Sequence, residues 1–166
     1  MARWLVRAAV VGMVAMWAFV LYLAVFEGRA DSPDRLDDPA FAREAEAACS
    51  ARLERIVELP RASEARDAAE RARTLEVANG HLADMLEDLE ELVPLVPAGE
   101  DREIVEEWLA DWHTYLGDRE DYAAELLRDP DARLLVTAKG GEQVTEYLDQ
   151  FAGDNDMPAC STAADA

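Results

Sequence analysis

The feature that most constrains this chain is a long uncharged apolar run near the N-terminus. Residues 8–26 contain no Asp, Glu, Lys or Arg. As a helix rising about 1.5 Å per residue, the run would reach roughly 28 Å, close to the thickness of a bilayer's hydrocarbon layer. Arg3 and Arg7 precede it, and Glu27 follows it. Because positive flanks stay in the cytoplasm, we predict a single-pass cell-membrane protein with a transmembrane helix over 8–26 and residues 1–7 cytoplasmic.

The same run has a second interpretation as a signal peptide. Gly28, Arg29 and Ala30 put small residues at the positions that a signal peptidase reads. The apolar regions of signal peptides usually extend over about 7–15 residues, and this run is longer. An uncleaved anchor is therefore favoured, and a cleaved signal peptide stays the alternative. Both interpretations place the rest of the chain outside the cytoplasm.

Charge is distributed very unevenly along the sequence. Of the 16 basic and 36 acidic residues, two arginines and no acid fall within 1–26, so the remainder carries 14 basic and 36 acidic groups, a net charge of −22. Nucleic acid is an unfavourable partner, because its binding requires Lys and Arg to neutralise phosphates. Most of the acids are expected to solvate helix surfaces, and the minority interpretation is that they attract cations or basic partners.

Two cysteines, Cys49 and Cys160, lie on the predicted outer side, where disulfides form and persist. A bond between them would tie the C-terminal tail to the first outer helix. In the chain-entropy model it would contribute on the order of 4–5 kcal/mol, less any strain. Two free thiols are the alternative. A metal pair is disfavoured, because the spacing is wide and no CxxC motif or nearby histidine accompanies it.

The outer part is predicted to be mainly α-helical. Residues 27–39 are rich in Asp, Pro and Gly and read as a linker, and residues 40–152 read as a helical domain. Within that domain, apolar residues at helical spacing predict one helix from Ala40 to Pro60 and a second that Ser63 caps and that continues to Val93. The apolar segment 92–96 is predicted to pack onto the bundle. If it were instead exposed, it would indicate an assembly surface.

A third helix is predicted from about Asp101 to Arg128, before Asp129-Pro130. After this helix the sequence pattern changes. It predicts an extended piece over 133–137, a turn over 138–141 and a short helix over 143–151. A β-hairpin there is less favoured, because the apolar residues of 144–151 keep helical spacing. Residues 153–166 read as a tail. The predicted architecture is a three- or four-helix antiparallel bundle with a small C-terminal extended element.

One predicted helix face concentrates aromatic and charged side chains in a stripe. It comprises Trp108, Asp111, Trp112, Tyr115, Asp118, Arg119 and Tyr122, which share a continuous helix face. In the favoured interpretation the rings pack against neighbouring helices and Arg119 stacks on an aromatic face or pairs with a carboxylate. In the functional interpretation the stripe lines a pocket for a cationic or sugar-like ligand, with Asp111 and Asp118 making polar contacts.

Catalytic and metal motifs are weak in this sequence. Neither His81 nor His113 belongs to a Glu-x-x-His pair, so a di-metal centre is not predicted. The serines stand in no nucleophile turn, and Gly140-Gly141 lacks a phosphate-loop motif. We therefore predict no catalytic residue, no metal and no cofactor, and an enzyme is the less favoured class.

Two segments carry a family resemblance. The sequence WLADWHTYLGDREDYA from Trp108 and the sequence NDMPAC from Asn155 to Cys160 resemble small membrane-anchored actinobacterial proteins of uncharacterised activity that have an exported helical domain. The resemblance covers the anchor and the outer domain. It implies the same topology and implies that the aromatic stripe and Cys160 recur, but it transfers no catalytic residue.

These observations lead to an expectation about function. A membrane-anchored extracytoplasmic binding or interaction module of the cell envelope is favoured, with an envelope protein or a cationic or sugar-like ligand as its partner. The alternative is an envelope hydrolase or transferase that uses Asp111 and Asp118. The two differ in whether those carboxylates line a water-filled cleft or form internal pairs.

Overall fold

The computed structural model describes residue 7 and the ranges 10–22, 32–61 and 64–162. The chain forms two compact units, Met1–Arg35 and Leu36–Ala166. In the first unit, helix α1 covers residues 10–22, and its apolar side chains are exposed.

The predicted membrane span 8–26 is only partly covered by the structure. Residues 8–9 and 23–26 lie outside the described ranges. Among the residues that are described, no helix is both long and apolar enough to cross a membrane.

The second unit is mainly helical, as the sequence predicts. Its elements are α2 (Ala40–Val57), α3 (Ala68–Leu92), α4 (Glu100–Leu126), β1 (Ala138–Lys139), β2 (Glu142–Gln143) and α5 (Val144–Asp154), with single 3-10 turns at Val93–Leu95 and Pro158–Cys160. Helix α3 packs against both α2 and α4, and α5 packs against α4. Near one end of the α3/α4 pair Asn79 contacts Arg119, and near the other Glu90 contacts His113. These two helices therefore run antiparallel.

The start of α3 differs from the prediction. Ser63 lies outside the described ranges, and the cap of α3 is Asp67, whose side chain accepts a hydrogen bond from the Glu70 N–H at 2.8 Å. An aspartate at this position satisfies one of the four N–H groups that the first helical turn leaves unpaired. Asp67 was not predicted as a cap from the sequence.

The core forms where the aromatic side chains of three helices meet. The Trp108 ring of α4 stands edge-on to Phe41 of α2 and to Trp112, at centroid distances of 6.3 and 6.4 Å, and lies 4.8 Å from Phe151 of α5. Cys49 and Cys160 form a disulfide that is fully buried beside this cluster. The predicted pairing is confirmed. Because each ring removes a large apolar surface from water, this cluster is the main determinant of how the helices pack.

The apolar connection between α3 and α4 packs onto the bundle. Leu92 and Val93 contact the core, Val96 is buried, and Leu95 is about half exposed. The predicted packing of 92–96 onto the bundle is therefore confirmed, and little of the segment is left exposed as an assembly surface.

The C-terminal extended element is smaller than predicted and begins later. Residues 133–137 form no strand, and the two strands pair Ala138 with Gln143 and Lys139 with Glu142. Gly140 and Gly141 make the turn with φ of 61° and 99°, a left-handed conformation that favours glycine. The predicted turn over 138–141 narrows to Gly140-Gly141, because a short hairpin, the less favoured prediction, forms across it. The following helix is confirmed. A strand needs a neighbour to pair with, and only 138–139 has one across this turn.

The tail is held at several points besides the disulfide. Asn155 accepts a hydrogen bond from the Leu36 N–H at 2.9 Å, and Glu46 accepts one from the Ala159 N–H at 2.9 Å. Asp149 accepts from both the N–H and the hydroxyl of Thr162. Residues on both sides of Cys160 therefore belong to the packed unit.

Candidate functional site

The aromatic half of the stripe lies in the core. Trp108, Trp112 and Tyr115 are all at least nine-tenths buried, as the packing interpretation predicts. The indole N–H of Trp108 donates to the Leu148 carbonyl at 3.4 Å. These rings present no open face on which a ligand could stack, so they act on the site only by fixing the position of α4.

Arg119 is buried beside the rings. Its Nε donates to the Asn79 side-chain oxygen at 2.9 Å and its Nη1 donates to the Tyr115 hydroxyl at 3.3 Å. The guanidinium carbon lies 5.6 Å from the Tyr115 ring centroid. Arg119 therefore stacks on an aromatic face, and its planar group joins α3 to α4.

The Asp111 carboxylate is nearly buried and paired. It accepts a hydrogen bond from Lys139 Nζ at 2.7 Å, and the same ammonium lies 2.7 Å from Glu107. Lys139 also lies over the Tyr147 ring, 5.1 Å from the centroid. It is the sole lysine of the sequence, in which the other basic residues are arginines and two histidines. Because an ammonium group is compact, it can contact two carboxylates and a ring face at once. The guanidinium group of an arginine is broader and planar, so its contact geometry is different.

The surroundings of Lys139 change its acid strength. Partial burial by itself lowers the pKa of the ammonium. The hydrogen bonds to Asp111 and Glu107 outweigh burial, so the pKa of Lys139 lies above its ordinary value. The ammonium therefore stays charged throughout the neutral range and holds β1 against α4.

The Asp118 carboxylate holds the segment that precedes β1. One oxygen accepts the Thr137 N–H at 2.6 Å, and the other accepts the Thr137 hydroxyl at 2.8 Å. Asp111 and Asp118 thus attach two consecutive stretches of the chain to the same helix. Both carboxylates have structural partners within the unit.

An open groove lies where this segment passes the C-terminal half of α4. Its volume is about 550 Å³, and its lining consists of Asp118, Asp121, Tyr122, Ala124, Glu125, Arg128, Arg133 and Leu135. Tyr122 is half-buried, and Leu135 is 81% exposed. A concave surface with one aromatic ring, one leucine and charges of both signs can bind a polar ligand through several contacts.

Two of the charges in the groove have no partner among the residues that the structure describes. Glu125 and Arg128 pair with each other at 3.0 Å, and Asp118 bonds to Thr137. Asp121 and Arg133 make no ion pair or side-chain hydrogen bond within the described part of the chain. A ligand therefore meets one available carboxylate and one available guanidinium.

The stripe is divided between the core and the groove. Of the seven predicted site residues, two line the groove, Asp118 and Tyr122. The other five do not: Trp108, Asp111, Trp112, Tyr115 and Arg119. Sequence reasoning missed Asp121, Glu125, Arg128, Arg133 and Leu135. The first two lie on the helix face that Asp118 begins, so helical spacing could have found them. Arg133 and Leu135 come from a segment without a regular pattern.

The histidines are not part of this groove. His113 Nε2 lies 2.7 Å from Glu90 on the surface, where both side chains are about half exposed. Among the residues that the structure describes, no three His, Cys, Asp or Glu side chains are placed to hold one metal ion.

Comparison with known proteins assigns this chain to no family. No protein-family model matches the sequence, and no curated protein or solved structure is significantly similar to it. The resemblance of residues 108–123 and 155–160 to membrane-anchored actinobacterial proteins therefore stays a prediction.

Proposed function

We propose that this chain is an extracytoplasmic binding or interaction module of the cell envelope, tethered to the cell membrane by its N-terminal apolar helix. Two features support the location. The uncharged run 8–26 is preceded by Arg3 and Arg7 and followed by Glu27, Arg29 and Asp31, so the N-terminal flank is the positive one. The folded unit also contains a buried disulfide, a bond that persists in oxidising compartments.

The observation that carries the binding role is the groove on α4. It combines a half-buried tyrosine with a carboxylate and a guanidinium that have no partner among the described residues, and its walls belong to the disulfide-linked unit. A concave surface with a few polar groups around an aromatic ring is the usual form of a ligand site.

An envelope hydrolase or transferase acting through Asp111 and Asp118 has less support. General acid–base chemistry requires a carboxylate that can reach the substrate. Asp111 is paired with Lys139, and both oxygens of Asp118 accept bonds from Thr137. Neither group is available without breaking a contact that shapes the groove.

Location is tested by fusing reporters after Ala166. A reporter that works only outside the cytoplasm should be active, and one that works only inside should be silent. The protein should fractionate with membranes and keep residues 1–30 by mass. An active cytoplasmic reporter would contradict the location, and loss of residues 1–30 would favour the signal-peptide alternative.

Binding is tested by NMR titration of the full chain in detergent micelles. The probes are tetramethylammonium, an N-acetylglucosamine trimer and a library of end-blocked hexapeptides. We expect at least one probe to shift the amide signals of groove residues, and Asp121→Asn to weaken that binding about tenfold. Glu106→Gln, an exposed change on α4 outside the groove, should leave it unchanged. If no probe shifts these signals, the binding role is wrong.

A further inference from the structure

The outer wall of the groove is a stretch of chain with no regular structure. Residues 132–137 belong to no helix or strand. Leu134 and Val136 pack against the core, whereas Arg133, Leu135 and Thr137 are exposed. This alternation of buried and exposed side chains is the pattern of an extended chain that covers a core with one face.

The backbone of this wall is unpaired between two fixed ends. The Ala132 N–H donates to the Asp129 carbonyl, and the Thr137 carbonyl accepts from the Val144 N–H at 2.9 Å. Between these points, no N–H or C=O group of residues 133–136 bonds to any part of the chain that the structure describes. An extended segment with a row of unpaired backbone groups is a template for another strand.

The groove lies on the side to which part of this backbone is directed. In an extended chain, alternate residues direct their N–H groups to the same edge. The Thr137 N–H donates to Asp118 on α4. The N–H and C=O groups of Leu135 and Arg133 therefore face the same edge as that bond, which is the edge occupied by the groove.

The charges restrict the occupant further. Within the described ranges Asp121 and Arg133 of the groove both lack a partner, so the available side chains offer one charge of each sign. The full chain, however, has a formal net charge of −20. The field of the protein attracts a basic ligand and repels an acidic one. A neutral sugar satisfies the available polar side chains but does not repeat the spacing of backbone donors and acceptors.

We propose that the groove binds an extended, basic polypeptide segment, which pairs through its main chain with residues 133–136 as an added β-strand. Leu135 contacts an apolar side chain of the segment, and Asp121 binds a lysine or arginine. The inference rests on the proposed function, because it names the ligand of the same groove. Main-chain pairing supplies affinity, and the alternate side chains supply selectivity.

The experiment uses the full chain in detergent micelles and the end-blocked hexapeptide library. The peptide that binds most tightly is then synthesised in two N-methylated forms. In one form the methyl groups block the backbone N–H groups along one edge of the bound strand, and in the other form they block those along the opposite edge. Amide hydrogen exchange of Leu134, Leu135 and Val136 is followed with and without peptide. We expect basic members to bind, exchange at the groove-facing amide of Leu135 to slow about tenfold, and methylation of one edge alone to abolish binding.

Two variants separate the backbone from the side chain. Leu135→Pro removes an N–H that has no internal partner, and it is compatible with an extended chain. Leu135→Ala keeps that N–H and removes the apolar contact. Leu135→Pro should reduce affinity by more than about tenfold and Leu135→Ala by about threefold. The far-UV circular dichroism and the disulfide should be unchanged in both.

Three results would overturn the inference. In the first, peptides shift the signals of Asp121 and Tyr122 but protect no amide of 133–136, and both methylated forms still bind. In the second, the groove responds only to tetramethylammonium or to the sugar trimer. Both leave the proposed binding role intact. In the third, nothing binds at the groove, and the proposed function fails together with the inference.

Discussion

At the scale of single residues, the one lysine of the chain has a distinct role. Lys139 bonds to a nearly buried carboxylate, to a second carboxylate and to a tyrosine ring, and so fixes the hairpin to α4. Removing one partner of a buried pair leaves the other charge without compensation, which costs more than the pair contributes net. The consequence is measurable, because an exposed pair on the same helix offers a control.

Lys139→Met should lower the free energy of unfolding by about 1–3 kcal/mol, because the Asp111 carboxylate is left buried without a donor. Adding Asp111→Asn should recover part of this loss. Arg128→Met breaks an exposed pair with Glu125 and should cost less than about 0.5 kcal/mol. Urea unfolding of the three variants measures the differences. Equal losses in the two single variants would show that the Asp111 pair is no stronger than a surface contact.

The raised pKa of Lys139 sets a pH dependence. Because the pKa is higher in the folded than in the unfolded chain, the contribution is complete below the unfolded value of about 10.4 and is lost as pH rises through the folded value. The stability gap between wild type and Lys139→Met should thus be smaller at about pH 11 than at about pH 8.

The raised pKa of Lys139 can be measured directly by NMR. With a single lysine in the chain, one side-chain Cε resonance reports its titration. The measured pKa should lie above that of free lysine and should fall in Asp111→Asn. An unchanged value in that variant would contradict the assigned cause.

At the scale of elements, two aspartate side chains accept hydrogen bonds from backbone N–H groups. Asp67 caps α3 by accepting from the Glu70 N–H, and Asp118 of α4 accepts from the Thr137 N–H in the segment before β1. The many acids of this chain therefore include structural acceptors as well as solvated surface groups.

Replacement of Asp67 by alanine should destabilise the unit by about 1 kcal/mol, because the Glu70 N–H loses its acceptor. Asp67→Asn retains a side-chain oxygen and should cost only a few tenths of that. Thermal unfolding followed by circular dichroism measures both. If the asparagine variant loses as much as the alanine variant, the charge rather than the cap is what matters.

At the scale of the whole molecule, the disulfide closes most of the folded unit into one loop. Cys49 and Cys160 are separated by 111 positions, and the bond joins α2 to the tail. The strong negative charge opposes compaction through self-repulsion. A covalent link between distant parts of the sequence offsets this by restricting the unfolded chain.

Reduction of the disulfide should lower the free energy of unfolding by up to about 4–5 kcal/mol at neutral pH. Denaturant unfolding with and without reductant measures the loss, and added salt should recover part of it by screening the acids. A Cys49→Ala, Cys160→Ala double variant should behave like the reduced protein and be insensitive to reductant. Identical midpoints for oxidised and reduced wild type would contradict this expectation.

Much of the fold follows from local patterns. Helical spacing predicted α2, α4 and α5 to within a few residues, and glycine chemistry predicted the turn at Gly140 and Gly141. The pairing of the two cysteines was predicted from the expected location of both outside the cytoplasm. The start of α3 and the length of the strands did not follow, because caps and strand pairs depend on which neighbour is present.

The sequence by itself determined the helical class and the separation of an apolar N-terminal segment from an acidic unit, because helical periodicity and composition are local properties of the chain. With two cysteines in the sequence, a single disulfide had one possible pairing. Only the tertiary structure decided which face of α4 is buried, and so which residues of the stripe are exposed. It brought Arg133 and Leu135 beside Asp121 and Tyr122 to form the groove. The physical reason is that Lys139 and Thr137 bind Asp111 and Asp118 across long sequence separations, and those contacts exist only after the helices have packed.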